Sequence, residues 1–358
     1  MDGARVLVCC GAGGVGKTSV AAALALAAAE RGRRTCVLTI DPARRLAQAL
    51  GVAELGNEPR AVAGVAGHLD ALVLQARQTF DDVVRASARS AEQAERILAN
   101  PVYQRLSGDL AGTQEYMACE KLHELDASGR WDLLVVDTPP TRSALDLLDA
   151  PDRLTAIVDR RVRAVAAPVQ LVGGLLRGLG LRAPLTGLLG QVAGSGLVAE
   201  LTAFVAAFDG MHEGFRERAQ RVRALFREPS TAFVVIATPD EAPLREAAFL
   251  AERLAADGLR LGTLVVNRVT RTAAVPRVRA ADRRLLARGD DDARLLAALL
   301  DLHAARAALA AAERRRCAPL LASVPASAAR ALVPLLPGQL TDLPALRDLG
   351  AALLAGPA

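Results

Sequence analysis

The stretch Gly11-Ala12-Gly13-Gly14-Val15-Gly16-Lys17-Thr18 constrains this chain more than any other. It fits G-x-x-x-x-G-K-[ST], the spacing of a phosphate-cradling loop. Residues 5–10 before it form a short apolar run, as a buried strand does. Residues 19–30 after it are rich in Ala and Leu, as a helix is. In a strand–loop–helix unit the glycines let successive backbone N–H groups close around a phosphate, and the helix N-terminus adds its positive dipole end. Lys17 would neutralise β/γ-phosphate charge there, the Thr18 hydroxyl would ligate Mg²⁺, and Ser19 would open the helix beside them. The alternative is a chance glycine-rich turn, which the full spacing and both flanks disfavour. Lysine occurs only at positions 17 and 121, whereas arginine supplies nearly all the positive charge. An ammonium is compact and a guanidinium is a broad fork, so a lysine at this spacing reads as chemically required.

Further acids and amides fall at predicted strand tips. Residues 35–40 read as a strand ending at Asp41-Pro42-Ala43, on the edge where open α/β sheets bind ligands. Asp41 would orient water or Mg²⁺, or cap a helix that begins at Pro42; both can hold together. Residues 131–140 run Trp-Asp-Leu-Leu-Val-Val-Asp-Thr-Pro-Pro. Asp137 would hold the Mg²⁺ shell, usually through water, or cap the next helix. Thr138, Pro139 and Pro140 form a constrained loop that would sense a γ-phosphate. Another strand spans 232–239 and a helix 244–254. The strand at 262–266 ends at Asn267-Arg268, where the Asn267 amide would read adenine or form a turn. Residues 44–56 read as a helix, 69–75 as a strand and 78–129 as helical. Residues 280–316 read as a long helix with an acidic interruption at 290–292, residues 320–324 as a strand reaching Pro325, and 343–354 as a closing helix. Strands alternating with helices give an α/β, doubly wound, mostly parallel sheet.

Composition narrows the class. In 358 residues, 52% are hydrophobic but only 3% are aromatic, so the core is built from Leu, Val and Ala. The net charge of +5 is small and spread along the chain. Arginine runs at 31–34 and 314–316 read as solvated helix ends, not as the concentrated stripe of a nucleic-acid surface. None of the five cysteines forms a C-x-x-C pair, so no zinc site is expected. Cys9, Cys10 and Cys36 fall in predicted buried strands as small hydrophobes, which suits a reducing, cytoplasmic compartment. With the glycine loop starting at residue 11, no signal peptide is expected. No stretch reads as an uninterrupted spanning helix: residues 183–199 are uncharged but short and broken by Pro184 and glycines. Residues 162–208 are Gly- and Leu-rich, and form either buried helices or an apolar groove or self-association surface that opens with nucleotide state.

With these residues in place, the chain resembles the ArsA family of arsenite-pump and tail-anchored-protein-targeting ATPases, within the MinD/ParA type of deviant Walker ATPase. The resemblance rests on residues 13–18, on Asp41-Pro42-Ala43 as switch I, on Asp137-Thr138-Pro139-Pro140-Thr141 as switch II, and on Val265-Val266-Asn267. Thr79-Phe80-Asp81-Asp82 and Gly112-Thr113-Gln114-Glu115-Tyr116-Met117 are similar to actinobacterial members described as anion-transporting ATPases. The resemblance implies a SIMIBI-type P-loop NTPase domain using ATP and Mg²⁺. Its nucleotide-binding core would cover about 1–77, 130–160 and 229–358, and an inserted helical subdomain about 78–129 and 160–228. Asp41 would position the attacking water, Asp137 would support Mg²⁺, and Asn267 with the loop at Pro325 would hold adenine. It also implies a homodimer, or a heterodimer with a paralogous ATPase, with a protein or membrane client reached through the helical subdomain. The location would be cytoplasmic or peripheral to a membrane. Two departures matter. The family's signature lysine belongs at position 12, which here is Ala12. The chain would then hydrolyse weakly alone, borrow the lysine from a paralogue, or substitute Arg44, Arg45 or Arg142. The zinc and arsenite-binding cysteines are also missing, which disfavours arsenite as ligand. The other readings are a nucleotide-binding interaction subunit with little turnover and a MinD- or ParA-like membrane or DNA switch.

Overall fold

Strands buried on both faces demand a helical layer on each side, and the central strands of this chain are of that kind. A computed structural model describes residues 3–41, 45–101, 103–104, 113–139, 212–272 and 278–355. The elements are β1 (Val6–Gly11), α1 (Lys17–Ala29), β2 (Thr35–Thr39), α2 (Arg45–Leu50), β3 (Arg60–Ala61), β4 (Leu69–Val73), α3 (Ala76–Ser87), α4 (Ala91–Leu98) and α5 (Thr113–Ala127). They continue with β5 (Leu133–Asp137), α6 (His212–Arg227), β6 (Thr231–Ala237), α7 (Glu241–Ala256), β7 (Leu261–Val269), α8 (Ala280–Leu286), α9 (Asp291–Ser323), β8 (Ala329–Pro334) and α10 (Leu343–Leu354). The sheet order is β3-β4-β2-β5-β1-β6-β7-β8. Every pairing is parallel except β3 with β4. The fold is the α/β, mostly parallel sheet that the strand–helix alternation implies.

Alternation along β1 divides the core. Val6, Val8 and Cys10 join the cluster that includes Val84, Leu122, Phe226, Leu250 and Leu320. Leu7 and Cys9 join α1, α2 and α10 on the other face. Helix α1 is nearly all Ala and Leu, and ten of its side chains are buried. Its small residues let it lie close to the sheet, so the loop between β1 and α1 is held rigidly at the strand tips. At Gly11, which pairs with Ile236 of β6, an added Cβ would sit 2.1 Å from the Ile236 carbonyl oxygen.

The structure departs from the sequence reading in several places. Residues 320–324 are not a strand: α9 runs on to Ser323, and the eighth strand is Ala329–Pro334. A short apolar run fits a buried helix turn as well as a strand, and here Cys317, Leu320 and Val324 lie on one helical face against the core. Pro325 therefore precedes β8, at the sheet edge opposite the strand tips. The helix expected over 280–316 is interrupted before the acids, into α8 and α9, and the Asp290 side chain caps α9 by accepting from the Ala293 N–H at 2.9 Å. Helix α9 also has spanning dimensions by length and composition, with an 18-residue window of mean hydropathy 1.5 that is 11% buried. The two-residue β3 was not foreseen. Pro42, Ala43, Arg44, Gly112, Pro140, Thr141, Arg142 and residues 162–208 lie outside the described residues.

Gly11→Ala should destabilise the protein by roughly 2–4 kcal/mol in a denaturant titration, because strand backbone must move to admit the methyl group. Gly32→Ala meets no atom within 4 Å at φ 87, so it should cost only about 1 kcal/mol of left-handed strain.

Candidate functional site

The site is built at the C-terminal tips of β1, β2, β5 and β7. Residues 12–16 leave β1 and turn into α1, whose N-cap, Gly16, has a left-handed φ of 94. An added Cβ at Gly16 would lie 2.6 Å from Asn267 Nδ2, so glycine is required twice over. No side chain caps α1, and its first turn carries no acid. Its leading N–H groups and dipole are therefore left for an external anion.

Lys17 is 7% exposed. Its Nζ donates to the Gly11 and Ala12 carbonyls, each at 2.9 Å, so the ammonium folds back along the loop. Burial lowers its pKa, opposed by the charge of Asp137. Burial also lifts the Cys9 and Cys10 thiols, Cys10 to about 12, so the thiols beneath the loop are neutral packing groups.

Asp137 closes β5 with no exposed surface. One carboxylate oxygen, Oδ2, accepts from the Thr18 hydroxyl at 2.7 Å and from the Thr39 hydroxyl at 2.8 Å. The other, Oδ1, is buried with no hydrogen-bond partner. Burial raises the carboxyl pKa to about 6, against the lowering effect of the two hydroxyls. An orphaned carboxylate oxygen beside a threonine hydroxyl is a hard-oxygen donor set, the kind Mg²⁺ takes. Thr18 and Asp137 thus fit the metal that the sequence implied.

Around them opens a cleft of about 470 Å³ lined by Gly13, Gly14, Lys17, Thr18, Asp41 and Thr138, among others. That size suits a small-molecule ligand. Asp41 follows β2 with its side chain 22% exposed, and its Oδ2 lies 3.6 Å from Arg45. Its backbone N–H donates to the Thr39 hydroxyl at 3.2 Å. Thr138 is pinned by its hydroxyl to the Cys9 carbonyl at 2.8 Å. A second cleft of about 360 Å³ adjoins the first and is walled by Asn267, Arg268 and residues of the 334–340 segment.

The structure brings together the predicted residues of the glycine loop with Asp41, Asp137 and Asn267. Asn267 is held tightly: its Nδ2 donates to the Val15 carbonyl at 2.8 Å and its Oδ1 accepts from the Arg268 N–H at 2.9 Å. Pro325 is not brought to the site; the segment after β8 occupies the place expected of it. Sequence reasoning missed Thr39, whose only signal is a hydroxyl two residues before Asp41. It missed Gln114, whose Nε2 donates to the Ile40 carbonyl at 2.7 Å, although the surrounding motif had been noticed. It also missed Arg268, and the 334–341 segment that follows the misplaced strand. Among the described residues no His, Cys, Asp or Glu cluster could hold a further metal.

Residues 4–284 match a family model described as "Anion-transporting ATPase". The chain is 32% identical over 266 residues to an uncharacterized protein of Streptomyces coelicolor, covering 74% of this chain and 62% of that one. It is 33% identical over 157 residues to a putative arsenical pump-driving ATPase of Chlorobaculum tepidum, covering 42% and 36%. It is 28% identical over 283 residues to the arsenical pump-driving ATPase of Escherichia coli, covering 77% and 40%. The match thus spans from about a third to under two thirds of the length of these relatives.

Asp137→Asn should raise the melting temperature of the nucleotide-free protein at pH 7.5. Above about pH 6 the folded carboxylate is charged and unsolvated, a cost on the order of 3 kcal/mol by the size of the shift. A raised pKa means the folded state binds the extra proton, so this cost is relieved as pH falls from 6 towards 3.8. Melting curves across that range should show the variant's advantage shrinking.

Proposed function

The chain belongs to the anion-transporting ATPase family, and from that premise we propose that it binds and hydrolyses Mg·ATP as a nucleotide-driven switch. The observation that carries this reading is Asp137, whose buried oxygen lacks a protein partner beside Thr18 and Lys17. On this reading Lys17 exchanges its two carbonyl acceptors for β/γ-phosphate oxygens, and the first N–H groups of α1 meet the β-phosphate. Thr18 would hold Mg²⁺ directly and Asp137 through water, and the ion would supply charge that offsets what develops on the phosphates. Asp41 accepts a hydrogen bond from the attacking water and orients it in line with the terminal phosphorus. Thr39 relays the state of the site, because its one hydroxyl touches both Asp137 and the Asp41 backbone. Gln114 then ties the same segment to α5. We read residues 78–129 and 160–228 as the lobe that responds, against a core of about 1–77, 130–160 and 229–358, in a cytoplasmic setting.

The second reading, an interaction subunit with little turnover, is favoured by one residue. Ala12 is neutral where a cation is expected, and such clamps are worth orders of magnitude in rate. Arg45, already facing Asp41 in the cleft, is the substitute among the described residues. We take weak hydrolysis by the isolated chain as the outcome. Asp41→Asn should lower single-turnover hydrolysis by about 100-fold or more while ATP still binds. An unaltered rate would remove Asp41 from the mechanism, and tight binding with no wild-type turnover would favour the second reading.

Dimer formation is part of the proposal, and α9 supports it. Leu295, Leu299, Leu302 and Leu309 are 60%, 54%, 59% and 48% exposed. Their spacing places them on one helical face, and that face continues through buried Ala310, Cys317 and Leu320. The occupant we favour is a second copy laid antiparallel. Asp291 and Asp292 at the start of one stripe would then lie near the second copy's Arg306, in a self-complementary pairing. Leu299→Glu with Leu302→Glu should convert a dimer to a monomer by light scattering while the circular dichroism spectrum is unchanged. A wild-type monomer at high concentration, with and without ATP, would contradict this surface.

A further inference from the structure

Strand β7 does not end regularly. Its register with β8 shifts between Val266 and Val269, a bulge that holds Asn267 and Arg268. Arg268 has φ 60 and is the one non-glycine residue with positive φ among the described residues. That conformation strains any residue with a Cβ and persists only where the surroundings impose it. The surroundings here do so from both sides. Asn267 receives the Arg268 N–H on its Oδ1 and is itself tethered to the glycine loop at Val15. Two residues on, buried Glu313 of α9 accepts the Thr270 N–H at 2.7 Å and the Thr270 hydroxyl at 2.8 Å. Bulges beside a site commonly re-aim a side chain, and Arg268 is a lining residue of both clefts. Gly16, Ser19 and Leu340 are the other residues the two clefts share. Arg268 therefore stands at the junction between the phosphate-side cleft and its neighbour.

We propose that Arg268 is a nucleotide clamp whose guanidinium bonds the α-phosphate and ribose end of a bound nucleoside di- or triphosphate. The proposal rests on the ATP reading of the site and adds the residue that closes it. A planar fork can bond two oxygens at once, as a lysine cannot. From the junction Arg268 meets the part of the ligand that ADP and ATP have in common. It therefore supports binding of both equally and is distinct in role from the cation missing at Ala12. Asn267 acts as the positioning residue: its amide holds the bulge against the loop, so a nucleotide that orders the loop also orders Arg268.

The test uses the full chain, ADP and ATP as probes, and Arg268→Gly. Glycine adopts this backbone without strain, so the variant should melt at or above the wild-type temperature. Calorimetry should show ADP and ATP affinities both falling by about 10-fold or more, as for loss of a charge-assisted contact, and by the same factor. Arg268→Lys should recover only part of the loss. Unchanged ADP affinity in Arg268→Gly, or a loss confined to ATP, would overturn the clamp while leaving the nucleotide site intact. Failure of the wild type to bind either nucleotide would overturn the ATP reading and the clamp with it.

Discussion

The structure depends on a carboxylate held where water cannot reach it. Asp137 gives one oxygen to two threonine hydroxyls, one from the glycine loop's helix and one from the neighbouring strand. Those two bonds join β5, α1 and β2 at a single point. They leave the second oxygen without a protein partner, open to an ion or a water. Burial of an ionised carboxylate opposes folding, so the surrounding apolar layers must outweigh it.

Much of this was legible in the sequence. The glycine loop, the acid at the tip of β5 and the amide at the tip of β7 each followed from an apolar run ending in a polar residue. A parallel sheet brings such ends to one edge without further information. Lys17 lines the cleft, whereas Lys121 is buried against Glu58 and Glu124. What failed was the run at 320–324, whose five residues fit either period. The error mattered because it moved the following loop: Pro325 was assigned to a site whose wall is formed by residues after 334. Length could have decided it, since α9 already carried helical spacing through Arg316.

Arg268 was not legible for a different reason. Its backbone conformation accompanies one residue of extra backbone in β7 and lies beside Thr270, which is bonded to Glu313, 43 positions further on. No local pattern encodes such a pairing. Glu313 itself reads as one more charge in an arginine-rich helix, yet it is buried. The same helix carries the exposed leucines, so one element runs from the Thr270 contact to the surface proposed for a second copy. Thr39 and Gln114 form the corresponding path on the other side, from Asp137 through β2 to α5.

The central claim is that the unpartnered Asp137 oxygen belongs to the metal of a bound nucleotide. Calorimetry of ADP binding with and without Mg²⁺, repeated at pH 6 in buffers of different ionisation enthalpy, tests it directly. With the Asp137 carboxyl pKa at about 6 and the ADP terminal phosphate titrating nearby, metal-dependent binding at pH 6 should release about half a proton more in the wild type than in Asp137→Asn, and the difference should vanish at pH 8. Binding that ignores Mg²⁺, or equal proton release by the two proteins at pH 6, would contradict the account.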